Sequence, residues 1–364
     1  MDVSTDLKAA FEDHWQRHFA LPSGSRLVVA VSGGVDSMTL LALLARERVA
    51  GEGVEVVAAH FDHGTRGAES AEDGRFVAEV ARRWGATSRL GRGDAPAAAD
   101  EGDRGPQAAA RELRYGFLAE VAEVEEASAV ATAHHRDDRV ETVLLRLVRG
   151  TSPEGLGAMR PVEARDGLVI VRPLLPFTRA AIEGWAEATG VPFREDPSNR
   201  SERYPRTAIR ETVVPALTRL NPRVDEAIVR LATQAAADGA YLGEVAEARL
   251  EDATVERDES TWSLTAAQVV DLPTPILSRI ILSGWAWGAP EGARPPNAEW
   301  VAGALSFLRG GRGGAIECPG GGTLERRGPR VEFVRPDGPL AEADAGARAA
   351  PDERPDPGTE GADR

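Results

Sequence analysis

The sequence predicts an α/β chain: a parallel sheet covered by helices, then a second, smaller α/β or α+β domain. Three observations carry that expectation. Short apolar runs alternate with amphipathic stretches from residue 26 to residue 190, the pattern of repeated strand–helix–strand units. After about residue 215 the alternation stops and a long helical stretch begins. The 364 residues, 42% hydrophobic and 28% charged, are enough for two domains that each bury a core.

Each element follows from its residues. Residues 1–23 are read as an N-terminal helical extension. RLVVAV, 26–31, is a short β-branched run bounded by turn residues, hence a buried strand. SGGVDS follows at 32–37, and MTLLALLARER then has helical spacing. VEVVAAH, 54–60, is a second strand. Residues 69–84 put Phe76, Val77, Val80 and Trp84 on one helix face. The Gly-, Ala-, Asp- and Pro-rich stretch 91–106 reads as a mobile loop. A helix (108–125), a third strand (128–135), a helix (137–150), a strand (169–175) and a helix (178–190) with Gly190 as C-cap complete the pattern. Beyond it come a long helix (222–252), helices at 275–287 and 297–309, and short strands at 314–318 and 323–334. The expected domains are therefore 24–215 and 216–336, followed by 337–364, a disordered tail with eight acids against three arginines.

Composition excludes several classes. The single cysteine, Cys318, cannot build a disulfide scaffold, a four-cysteine zinc site or a paired-cysteine redox centre within this chain. No apolar run reaches the ~18 residues of a membrane span. The acidic, polar start is unlike a secretory signal, so a cytoplasmic protein without membrane association is expected. Lys8 is the only lysine among 43 basic residues. A Walker A loop needs lysine after its glycines, so the chain is not an ordinary P-loop NTPase. The arginine excess reads as nucleotide-composition bias. A net charge of −15 opposes nonspecific nucleic-acid binding, and any such contact needs a local basic face.

SGGVDS has the makings of an anion site. Its glycines let the backbone turn tightly and approach a ligand. Freed N–H groups point out at the positive end of the following helix. Ser32 and Ser37 add hydroxyls, Val35 completes the loop, and Asp36 calls for a bridging Mg²⁺ beside phosphate. A bare S-G-G would be only a capped turn. The full strand–SGGxDS–helix arrangement favours phosphate, and it resembles the loop of the N-type ATP pyrophosphatases, the PP-loop superfamily, which cleave ATP between its α- and β-phosphates.

Five further segments narrow the resemblance. AHFDHGTRG carries His60, Asp62, His63 and Arg66. ARELRY places Arg111 and Arg114 on one helix face. TAHHRDDRVET carries His134, His135, Asp137, Asp138 and Glu141, the last two three apart on one face. RLVRGTSPEGLGAM ends that helix in a Gly-rich turn. EDPSNRSERYPRTAIR carries Arg200, Arg203, Arg206 and Arg210. In order and spacing they resemble the tRNA(Ile)-lysidine synthetases of that superfamily, over most of residues 26–222, including RPLL at 172–175 and the Pro215, Leu217, Asn221, Pro222 ending. The part after this resembles the family's substrate-binding domain only loosely. The chain departs from the family at Thr65, Arg139 and Thr207, where leucine, glutamine and asparagine are common. Arg139 bears most on the site, since it adds a cation beside the acidic cluster.

The resemblance implies an adenine nucleotide alpha hydrolase-like fold for 24–215 and a tRNA-binding accessory domain for 216–336. It implies a ligase that uses ATP and Mg²⁺ to join free L-lysine to C2 of the wobble cytidine (position 34) of an isoleucine tRNA with a CAU anticodon, through an adenylated cytidine. Ser32, Gly33, Gly34, Val35, Asp36, Ser37, His60 and Arg111 would bind nucleotide. Asp36, Arg114, His134, Asp138, Glu141 and Arg206 would be catalytic, with Asp36 and Asp138 on the metal. His134 or Glu141 would take the amine proton, and Glu141 or Asp137 would select the ammonium. Residues 194–223, with seven arginines against four acids, would meet RNA phosphates. The family leaves a homodimer open. The alternatives are a tRNA thiolase of the same superfamily, whose known types use paired cysteines or an iron–sulfur cluster, a small-molecule amide-forming ligase, a metal hydrolase built on HHxDDxxE, and a nucleotide-binding regulator without turnover.

Overall fold

The computed structural model describes residues 3–64, 68–94, 106–157, 159–165, 167–194, 205–290 and 292–336. Thr65, Arg66, Arg200, Arg203, most of the expected loop at 91–106 and the expected acidic tail lie outside them. The chain forms two compact units, Met1–Gly239 and Ala240–Arg364, which divide within the helix Val224–Ala253.

The first unit is built on β1 (Arg26–Ala30), β2 (Glu55–Asp62), β3 (Thr87–Arg92), β4 (Ala129–Ala131), β5 (Val162–Arg165) and β6 (Leu168–Val171). Their order in the sheet is β3-β2-β1-β4-β6-β5. Neighbours run parallel except at one edge, where β5 returns antiparallel to β6. Gly167, with φ of +79°, makes that turn.

Two strands of this unit, like the strands Thr254–Arg257 and Thr261–Thr265 of the second unit, are absent from the sequence expectation. β3, TSRLGR, is an edge strand with an irregular burial pattern and no apolar run, and it takes Gly91 and Arg92 out of the expected loop. β5 is the other edge strand, and its sequence, VEAR, carries too short a pattern to be read. The interior strands were legible because both of their faces are covered. Leu27 and Val29 of β1 face one core, with Leu41, Val77 and Trp185, while Val28 faces the other, with Leu118, Val121 and Val130.

The helix Val3–His18 closes the first core with Leu7, Phe11 and Trp15, which recur at helical spacing. It packs on the helix Arg179–Thr189, through which Ile182 and Trp185 join the same core. Phe11 and Trp15 are fully buried, a contribution of about 1.5–3 kcal/mol for a large apolar side chain.

The topology positions the site. From β1 the chain adds β2 and then β3 on one side, and after β3 it crosses over to place β4 on the other side of β1, so the strand order reverses beside β1. Ligands of open parallel sheets bind outside the carboxyl ends of the strands at such a point. The segments that follow β1 and β4, Ser32–Ser37 and Ala133–Glu141, meet there.

The second unit is α+β. β7 (Thr254–Arg257), β8 (Thr261–Thr265), β9 (Gly314–Glu317), β10 (Thr323–Arg327) and β11 (Arg330–Val334) form an antiparallel sheet in the order β7-β8-β11-β10-β9. Alternation sets its inner face: Val331 and Phe333 are buried and Glu332 is not, while Trp262, Leu264 and Leu324 join the core. The helices Thr274–Gly288 and Ala298–Arg309 cover it with Leu277, Ile280, Ile281 and Leu308. No helix among the described residues is long and apolar enough to cross a membrane.

Candidate active site

The loop after β1 is held from every side. Gly33 adopts φ of +95°, a left-handed conformation that favours glycine. Ser37 Oγ accepts from the Ser32 N–H at 3.1 Å and donates to the Gly34 carbonyl at 3.0 Å. The Ser32 and Ser37 hydroxyls lie 3.1 Å apart. Ser37 is buried, so its hydroxyl braces the loop. His60, buried at the end of β2, donates from Nδ1 to the Val31 carbonyl at 2.9 Å and supports the strand where the loop begins. The helix Val35–Leu41 starts inside the loop and continues as the π-helical stretch Ala42–Arg46.

Asp36 enters the site from that helix. Its Oδ1 is buried without a hydrogen-bond partner among the described residues. Burial raises its pKa, against the opposing pull of His135 and Arg179. It is a carboxylate short of positive charge.

His135 supplies part of that charge. Its Nε2 lies 3.8 Å from Asp36 Oδ2 and 3.4 Å from Asp138 Oδ2, and its Nδ1 lies 3.5 Å from Asp137 Oδ2. Burial opposes its protonation, but the three carboxylates outweigh burial and raise its pKa. Asp137 does more than attract it: its Oδ2 accepts the backbone N–H of Arg179 at 2.9 Å. Burial would raise the Asp137 pKa, yet these donors hold it down at about 2. Asp137 thus ties the start of one helix to the start of another and orients His135. Asp138 Oδ2 caps its own helix by accepting the His135 N–H at 3.1 Å.

His134 lies on the other side. Its Nδ1 shares a hydrogen bond of 2.9 Å with Thr132 Oγ1. Burial, helped by the charges of Arg172, Arg114 and Arg111, lowers its pKa to about 3 even though Asp138 pulls the other way. The imidazole is neutral at neutral pH. Arg114 also acts on His63, whose pKa burial lowers. Arg111 and Arg114 flank Tyr115, with guanidinium carbons 4.8 Å and 5.4 Å from the ring centroid.

Glu141 is 2% exposed and fully engaged. Arg210 grips it with both nitrogens, Nε to Oε1 at 2.6 Å and Nη2 to Oε2 at 3.1 Å. Arg206 Nε lies 3.6 Å from Oε2, and Arg206 Nη2 donates to Thr142 Oγ1 at 2.7 Å. Arg139 is buried, with no hydrogen bond to its Nε–H among the described residues, and burial lowers its pKa.

The structure brings Asp36 and Asp138 together around His135, sets His134 under the influence of Arg111 and Arg114, and pairs Glu141 with Arg206 and Arg210. Sequence reasoning named His135 only as part of its motif and gave it no role. In HHRDD both histidines read alike, and only the direction of each ring separates them. The buried, unpaired Asp36 oxygen suits a cation. Asp36 and Asp138 are the carboxylates that would hold Mg²⁺, which completes its shell with water and phosphate oxygens instead of an all-protein cage. Among the described residues no group of three or more His, Cys, Asp or Glu forms such a cage.

A glycine turn after the first strand, opening a helix at the reversal point of a parallel sheet and faced by carboxylates, defines a phosphate-binding α/β domain. Residues 3–217 match the model of the PP-loop domain family, and the chain belongs to that family. It is similar to the tRNA(Ile)-lysidine synthase of Geobacillus kaustophilus, 36% identical over 265 residues that cover 73% of this chain and 57% of that protein. The enzyme of the same name from Bacillus subtilis is 33% identical over 268 residues, 74% of this chain and 56% of that protein. The chain therefore spans about half the length of the curated relatives it matches. Among solved structures, the U34-tRNA thiolase NcsA from Methanococcus maripaludis shares the fold, with a TM-score of 0.54 at 16% identity, over 63% of this chain and 80% of that one.

Proposed function

We propose that the protein ligates free L-lysine to C2 of the wobble cytidine of the CAU-anticodon isoleucine tRNA, using ATP. The carrying observation is the meeting of the Ser32–Ser37 loop, through Asp36, with His135 and Asp138 at the end of β1.

The chemistry has two steps. The cytidine O2 attacks the α-phosphorus of ATP and pyrophosphate leaves. The lysine ε-amine then forms a bond to C2, the C2–O2 bond breaks, AMP departs with that oxygen, and the amine gives up a proton. The first step needs fixed donors around the departing phosphates. The loop N–H groups, Arg111 and Arg114 fit that need. Mg²⁺ held by Asp36 and Asp138 would supply charge neutralisation on the phosphate oxygens. The second step needs an unprotonated group near the amine as it adds. His134 is unprotonated at neutral pH, but burial lowers its pKa to about 3 and makes it a weak base, better suited to accept a hydrogen bond from the amine than to carry its proton. Glu141, held by Arg210 at both oxygens, is better suited to set the arginines beside the cytidine than to act as the base. Arg206 and the other arginines of 194–223 are proposed contacts for tRNA phosphates, with residues 216–336 as the accessory tRNA-binding part.

Incubation with ATP, radiolabelled lysine and bulk tRNA tests the reading. Label carried into tRNA supports it. Pyrophosphate release that needs lysine but no tRNA would point instead to a small-molecule ligase.

A further inference from the structure

We propose that Arg194 is a positioning residue of the phosphate loop, acting through the Gly33 peptide and through two carboxylates of the helix Ala68–Arg83. The inference rests on the reading of Ser32–Ser37 as the ATP site.

The argument starts at the backbone. The Arg194 N–H donates to the Gly33 carbonyl at 3.0 Å. In a planar trans peptide the C=O and the next N–H point in opposite directions. Holding the Gly33 carbonyl on one side therefore turns the Gly34 N–H to the other, where its contact to Ser32 Oγ is long, at 3.4 Å. A glycine at φ of +95° has no side chain to hold this orientation, so an outside bond must do it.

The side chain of Arg194 secures that bond. Its Nη1 lies 2.9 Å from Asp73 Oδ1 and its Nη2 lies 3.2 Å from Glu72 Oε2. Asp73 is buried, and Val77, one turn further along the same helix, underlies Gly33 at 3.7 Å from where a Cβ would sit. One helix thus supports Gly33 from below and holds the residue that pins its carbonyl. Arg194 is also the start of the arginine-rich stretch that returns at Arg206 and Arg210 to grip Glu141. Arg194 is thus fastened to the phosphate loop, and Arg206 and Arg210 to the helix Arg136–Arg149.

The backbone bond should outweigh the ion pairs, because the Arg194 side chain is 40% exposed, which weakens its pairs with exposed Glu72 and with the more buried Asp73. ATP binding by the full chain, measured by calorimetry without tRNA or lysine, tests this. Arg194→Pro removes the N–H donor and is expected to weaken ATP binding about 5- to 10-fold. Arg194→Ala keeps the donor, loses the ion pairs and should weaken it about 2- to 3-fold, with Arg194→Lys restoring most of that loss. The melting temperature of Arg194→Ala should not change, which separates positioning from general support. Wild-type affinity in both the Pro and Ala variants overturns the tether while leaving the ATP reading intact. Failure of the wild-type chain to bind ATP overturns the ATP reading and the tether with it. Should Arg194→Pro not fold, the Ala and Lys pair decides: loss with Ala and recovery with Lys supports the tether, and unchanged affinity in both overturns it.

Discussion

Asp36 is the residue on which the proposed chemistry leans most. Its buried, unpartnered oxygen is tolerated because a cation is expected to meet it. Asp36→Ala should cut ATP- and tRNA-dependent pyrophosphate release by about 100-fold or more, and a normal rate would remove the loop from the mechanism. His14, on the helix Val3–His18, tests a different property. Burial, with the charge of His18, lowers its pKa from 6.5 to about 4. A folded-state value below the unfolded one means that the folded form binds the proton less readily. The stabilisation is therefore complete above pH 6.5 and is lost as pH falls from 6.5 towards 4. A half-buried group with this shift contributes on the order of 2 kcal/mol. Urea midpoints at pH 7 and pH 5 should differ accordingly, and His14→Leu should remove most of that difference.

Helices and strands carry constraints that no single functional residue reveals. Gly284 lies inside the helix Thr274–Gly288, where glycine is a poor helix former. It is needed there because a Cβ would fall 2.3 Å from Phe333 ring atoms. Gly284→Ala should thus destabilise by about 1–3 kcal/mol, even though alanine favours helix, and chemical denaturation measures it. The helix Arg179–Thr189 is stopped by Gly190 in the left-handed region, at φ of +64°, with open space around it. Gly190→Ala meets no clash and should cost only about 1 kcal/mol from backbone strain. The two variants therefore separate crowding from conformation. Edge strands show the limit of pattern reading at this scale: β3 and β5 each pair on one side only, so little apolar periodicity is demanded of them.

Across the whole molecule the charge problem returns. A chain of net −15 proposed to bind tRNA must do so through a local surface. The arginines of 194–223 form the candidate surface, so tRNA affinity should fall steeply and linearly in log–log form as salt rises. Filter binding between 50 and 300 mM salt measures the slope, and an affinity independent of salt would exclude a phosphate-led contact. Arg219→Glu with Arg223→Glu should flatten the slope by about one to two units without changing ATP affinity.

What the amino-acid order determined was the local chemistry. SGGVDS can form a phosphate loop because its glycines, serines and carboxylate are covalent neighbours between a strand and a helix. The central strands were legible because burial on both faces demands unbroken apolar runs, as in RLVVA and EVVAAHFD. Tertiary structure alone decided which charges meet. Arg210 reaches Glu141 across 69 positions, and Asp137 finds the backbone N–H of Arg179 across 42. It also decided which of two adjacent histidines is held by three carboxylates and which is kept unprotonated by burial, with Asp138 and three arginines acting on it in opposite directions. Spacing along a helix reports a shared face, but the partner of that face comes from another part of the chain, brought close only by the packing of the sheet.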